Sequence, residues 1–316
     1  MNGRNMGIKV FVLMMVSGAA ANAQSAPSTP RSLPRIQATL EQDKVVVTVD
    51  GRLFTCYKFA GSQKYPYFWP VNGPLSNQSV TTESSEPYPH HHSLFFGCDR
   101  VNGGNYWQEG NEQGQILSQG PKLVEASGSR IVFTDECLWR QPGSEPIIRD
   151  RRRIEISATG GGLRFINFQI MLEPLTDIRI LKTNHSLFAA RVVPEFGVTA
   201  GGILVNAEGA TGEKGTFSVA SPWCDFCGTR NGITEGIAIL QHPDNRWYPA
   251  KWFTRDYGFF SPTPMFWLAG DQLDLPKGEE LTLRYQVVVH PGDSRQAKIA
   301  SLFDTYQRTA RSSQNP

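Results

Sequence analysis

Leu281-Thr282-Leu283-Arg284-Tyr285-Gln286-Val287-Val288-Val289-His290 is the stretch that sets the fold class. Side chains on a strand alternate between faces, so Leu281, Leu283, Tyr285, Val287 and Val289 share one side. Thr282, Arg284, Gln286 and His290 take the other. One apolar face on a β-branched run reads as a strand laid against a core.

Working outward, the same signal recurs. Lys44 to Val49 meets Asp50-Gly51 and then Arg52 to Tyr57, which predicts a hairpin. Arg130 to Trp139 and Arg152 to Ser157 alternate as strands, Leu163 to Leu172 reads as a strand apolar on both faces between two layers, and Gly236 to Leu240 as a short buried one. Asp293 or Ser294 is expected to cap a single helix over 294–311, with Ile299, Leu302, Phe303 and Tyr306 on its apolar face. Arg149, Arg151, Arg152 and Arg153 form a charge run, expected as a solvated strand edge. About a dozen strands and one helix predict an all-β fold, a large two-sheet sandwich occupying residues 41–316 as one domain. Seven Trp, nine Tyr, eighteen Phe and thirty Gly suit strands and tight turns.

The N-terminus reads as an export signal over residues 1–23, with Arg4 and Lys9, an apolar Val10–Val16 run and a small-x-small site at Ala21-Asn22-Ala23. Residues 24–40 are expected to be a flexible lead-in, and the protein periplasmic or secreted. That apolar run is too short to span a bilayer, and no later run predicts a membrane span. Without residues 1–23, which hold two basic residues and no acidic one, 29 basic side chains balance 29 acidic ones. Zero net charge gives no case for nucleic acid. Five cysteines (Cys56, Cys98, Cys137, Cys224, Cys227) allow two disulfides and one free thiol in an exported chain, with the pairing open. Cys224-x-x-Cys227 has redox spacing, but Gly228 to Gly232 reads as a turn where that motif needs a helix.

Three stretches place polar groups beside apolar strands, which is costly unless they find partners. His90-His91-His92 runs into Leu94 to Phe96; if extended, His90 and His92 share a face and His91 takes the other. Arg191 closes the apolar run after His185. Arg255-Asp256-Tyr257 follows Trp252. The three are expected to meet on one concave face. Tyr65 to Trp69, interleaved with prolines, is either core or a stacking surface for sugar rings.

These motifs resemble a secreted bacterial family of unknown function labelled "methane oxygenase PmoA", whose pattern His-Pro-His-His-Arg-Gly-Leu-x-Phe falls on Tyr88 to Phe96. Val101-Asn102-Gly103 with Trp107, Gly236 to Ala238 with His242-Pro243, Trp252 with Arg255 to Gly258, and Tyr285 to His290 also match, covering roughly 52–306. Tyr88 and His92 stand where the pattern has histidine and arginine, and the 182–188 segment lacks its glutamate. The resemblance implies a β-sandwich of the galactose-mutarotase type, sugar-related. On that basis a carbohydrate-active enzyme working by hydrolysis, elimination or epimerisation is expected. His91, His90 and Asp256 are the candidate acid/base groups. His92, Arg191, Arg255, His242, Tyr257, Trp107, Trp69 and His185 are candidates for binding the sugar or oligosaccharide. Two other readings stand: a glycan-binding protein, or an enzyme using a divalent metal on His90 and His92. No cofactor or tightly held metal is expected, and the sequence leaves the oligomeric state open.

Overall fold

The computed structural model describes residues 1–3, 33–108 and 110–312; the expected signal peptide's apolar run and cleavage site lie outside them. Among the described residues, twenty-one strands form two antiparallel sheets of twelve and nine strands. Leu281–Pro291 is central in the smaller sheet, paired with Arg164–Pro174 on one side and Ile233–Gln241 on the other. Its apolar alternate residues face inward as the period requires. In the larger sheet, Leu94–Val101 lies between Tyr67–Val71 and Ser186–Arg191.

The sheets pack face to face through aromatic pairs drawn from both. Phe96 stacks near Phe168 at 6.2 Å between ring centroids, and Phe188 on Tyr285 at 4.6 Å. Each such buried ring contributes about 1.5–3 kcal/mol of transfer free energy. The core is therefore a continuous apolar layer, as the all-β sandwich reading requires. A smaller apolar cluster on the outer side of the nine-stranded sheet joins Trp223, Leu240 and Val288 to Ile299 and Phe303 of the C-terminal helix. No helix among the described residues is long and apolar enough to cross a membrane.

Several local expectations are corrected. Ile36–Leu40, expected within the flexible lead-in, is a strand paired with Lys44–Val49, because Ile36 and Ala38 reach the core on alternate positions. Arg164–Pro174 buries only one face; Phe165, Asn167, Gln169 and Met171 face outward. The helix starts at Ile299, since Lys298 adopts a left-handed φ of 57° that ends the preceding turn. Asp293 caps that turn, accepting from the Arg295 and Gln296 amides. All five cysteines are free and buried, so neither disulfide forms.

The arginine run is no sheet edge. Ile148–Ala158 is flanked by a strand on each side, and its alternation sends Asp150 and Arg152 into the sandwich. There Arg152 donates to both Asp150 oxygens, at 2.8 and 3.0 Å, while Trp139 Nε1 donates to Asp150 and Tyr57 Oη to Asp135. A charge two residues from its counterion on one strand face can enter the interior because the pair goes in together.

Candidate functional site

The histidine stretch is a turn, not a strand: pairing begins only at Leu94, and Ser93 has a φ of 57°. The His91 amide donates to the Tyr88 carbonyl at 3.2 Å, and the Arg191 amide to the Ser93 carbonyl at 2.7 Å. The turn is thereby fastened to the strand Ser186–Arg191. Turn geometry separates the three imidazoles, so His90 and His92 do not share a face. His90 and His91 sit edge to face at 4.5 Å, whereas His92 stacks on Tyr67 at 5.0 Å with Nδ1 2.8 Å from the Glu83 carbonyl.

The centre of the cluster is His185. Asp99, on Leu94–Val101, donates its amide to the His185 carbonyl, and this cross-strand contact brings the side chains together. His185 Nδ1 lies 3.1 Å from Asp99 Oδ2. A carboxylate only accepts, so Nδ1 carries the proton and Nε2 holds the lone pair of the neutral ring. Trp107 stacks on His185 at 5.8 Å, and His90 meets it edge-on at 6.0 Å. His185 remains 24% exposed at its side chain while Asp99 is 8% exposed. That is a reachable imidazole backed by a buried carboxylate.

Arg191 and Tyr257 lie beside the same turn. The Arg191 guanidinium lies over the Tyr257 ring at 4.1 Å and reaches Ser85 Oγ at 3.4 Å. Tyr88 faces Tyr257 at 5.2 Å, and His91 stacks on Phe259 at 4.2 Å. Burial, then the positive neighbours His90 and Arg191, pushes the His91 imidazole down to about 2. His91 is therefore neutral at any physiological pH. Burial also lowers Arg191 and raises Tyr257 to about 12. Arg191 Nε and Nη1, His91 Nδ1, Asp99 Oδ1 and Trp107 Nε1 are buried without a hydrogen-bond partner. Each such group costs about 1–3 kcal/mol, so this cluster holds polar groups at an energetic cost to the fold.

Some expected residues lie elsewhere or are committed to the scaffold. Arg255 and Asp256 share one partner, Glu213. Arg255 Nη1 donates to Glu213 Oε1 at 2.9 Å, and Asp256 Oδ1 accepts the Glu213 amide at 2.7 Å. The chain turns after Arg255, so both reach the same glutamate, and Arg255 also covers Phe253. His242 belongs to the outer side of the nine-stranded sheet, edge-on to Tyr306 at 5.3 Å and accepting the Asp244 amide. Burial lowers its pKa. Trp69 sits beside the main cluster, with Lys58 Nζ 5.3 Å from its ring and paired with Glu83. Among the described residues, no three His, Cys, Asp or Glu side chains are grouped as metal ligands. His90 and His92 have different neighbours.

Asp99, Glu83, Glu213 and Phe259 were missed in the sequence. Asp99 carries the signal that flagged Arg191, a charge inside an apolar strand, and was legible on that rule. Glu213 has none, lying in a short helix 42 residues from Arg255.

Among solved structures, a galactose 1-epimerase from Lactobacillus acidophilus aligns over 82% of this chain and 98% of its own, at 9% identity and a TM-score of 0.40. A galactose mutarotase related enzyme from the same species aligns over 81% and 97%, at 6% identity and a TM-score of 0.33. A polysaccharide lyase covers 83% of this chain and 33% of its own length, at 11% identity and a TM-score of 0.26. No curated protein matches the sequence. Residues 44–304 match the family described as "Family of unknown function (DUF6807)", and the chain belongs to that family.

Proposed function

We propose that this protein is an exported carbohydrate-active enzyme that moves a proton at a sugar, with His185 as the base and Asp99 holding its tautomer. The observation that carries this is the His185–Asp99 pair at 3.1 Å, a partly exposed imidazole on a buried carboxylate with partnerless buried polar atoms nearby. His185 Nε2 is the nitrogen left to take a proton, and His90, edge-on to it, is placed to return one. Arg191 and Tyr257 hold a hydroxyl or carboxylate oxygen of the substrate. Tyr88, which is exposed, supplies an aromatic face of the kind on which sugar rings stack, and the buried Trp107 backs the His185 ring. His91, kept neutral by burial, is a hydrogen-bonding wall and not the proton carrier. Asp256 is occupied by the Glu213 amide and serves the scaffold.

The test is turnover of a panel of neutral and acidic sugars and short oligosaccharides by the wild-type protein, His185→Ala and Asp99→Asn. At least one substrate should turn over, with His185→Ala lowering kcat by about a hundredfold or more. Asp99→Asn, which no longer fixes the proton on Nδ1, should depress kcat more than KM and flatten the pH profile. Binding without turnover of any panel member would make this a glycan-binding protein. Full activity in His185→Ala would remove the assigned base.

A further inference from the structure

The outward face of the nine-stranded sheet carries a second ordered set of polar groups, far in topology from the histidine cluster, which belongs to the other sheet. Register lines up Thr134, Arg153, Gln169 and Arg284 across four adjacent strands. The next row holds Glu155, Asn167 and Gln286. At about 4.8 Å per strand the first row spans roughly 14 Å, long enough for a short oligosaccharide. Two hollows follow it, of about 430 and about 240 Å³, and Arg153 and Gln169 line both. The two adjoin along the row at Arg153 and Gln169 as a stepped groove, with Lys122 at one end and Tyr306 and His242 at the other.

The groove's side chains are held in advance. Arg284 donates Nε to Gln169 Oε1 at 3.1 Å, and Gln286 donates to Asn167 Oδ1 at 2.8 Å. Pre-ordered donors lose less entropy when a ligand arrives. The charge along the row is positive. Arg151 and Glu136 also line the larger hollow and pair with each other at 3.6 Å. Beyond them Lys122, Arg153 and Arg284 face Glu155, which lies 3.8 Å from Arg153, while Arg284 enters no ion pair among the described residues. Guanidinium groups match carboxylates in planar, two-pronged geometry, and amides match hydroxyls.

We infer that this groove is a binding site for an acidic oligosaccharide, lying across the strands and separate from the proposed reaction centre. It does not depend on proton transfer at His185. A galacturonate hexasaccharide is the probe and maltohexaose the neutral control, with Kd measured calorimetrically on the full protein. Wild-type protein should bind the acidic chain, more weakly as salt rises, and the neutral chain at least tenfold less well. Arg153→Ala/Arg284→Ala should weaken acidic binding tenfold or more, while Tyr88→Ala at the histidine cluster leaves it intact. If the alanine pair lowers Tm, Arg153→Gln/Arg284→Gln keeps the side-chain bulk and removes the charge. Three results overturn the inference: no binding of the acidic chain, affinity unchanged in the charge-removing pair, or affinity lost in Tyr88→Ala instead.

Discussion

His91 provides a measurable link between burial and acid stability. Its folded pKa is pushed down to about 2, whereas an imidazole in the unfolded chain titrates near 6.5. Below pH 6.5 the unfolded state takes up a proton that the folded state refuses, so stability is lost as pH falls. The loss is about 1.36 kcal/mol per pH unit, or roughly 2.7 kcal/mol between pH 8 and pH 4.5. The figure at pH 4.5 hardly depends on how far below 4 the folded value lies. His91→Phe keeps an aromatic ring against Phe259 and removes the titration. His90, His92, His185 and Arg191 are the groups acting on His91 electrostatically. Because His91 stays neutral when folded, its removal leaves their charges where they were. Carboxylates elsewhere, and His290, which burial pushes down but Asp225 raises on balance, contribute equally to both proteins and cancel. Urea unfolding at pH 8 and pH 4.5 should show wild type losing about 2.7 kcal/mol more than His91→Phe. A difference below about 1 kcal/mol would refute the desolvation account and restore His91 as a proton carrier.

Two further outcomes follow from the interior. Arg152→Met leaves Asp150 fully buried without its counterion, and should cost about 3–5 kcal/mol; Arg152→Met/Asp150→Leu should recover at least about 2 kcal/mol of the summed single costs in a double-mutant cycle. Additive losses within about 0.5 kcal/mol would mean the pair is not coupled. The five buried thiols should be silent to a thiol reagent in the native protein and all react after denaturation without reductant; fewer than five in the denatured protein would show a disulfide.

Periodicity alone determined the β character of this chain, because the alternation in Leu281 to His290 and in Lys44 to Val49 is a local property of a strand. It also marked Arg191, Tyr257 and the histidine turn as groups needing partners, since a charge beside apolar neighbours is costly wherever the chain folds. Who the partners are was not local. Asp99 meets His185 from 86 residues away, Glu213 takes both Arg255 and Asp256, and Asp150 accompanies Arg152 inside the sandwich. Each pairing depends on strand register or on where a loop turns, which one sequence does not encode in its spacing. The chemistry of the histidines was decided at the same level. His90, His91 and His92 are identical in sequence terms, but the turn buries His91, sends His92 to Tyr67 and Glu83, and leaves His90 beside His185. Desolvation is set by what packs around a group, so only the tertiary structure could make one imidazole inert and bring another to a carboxylate.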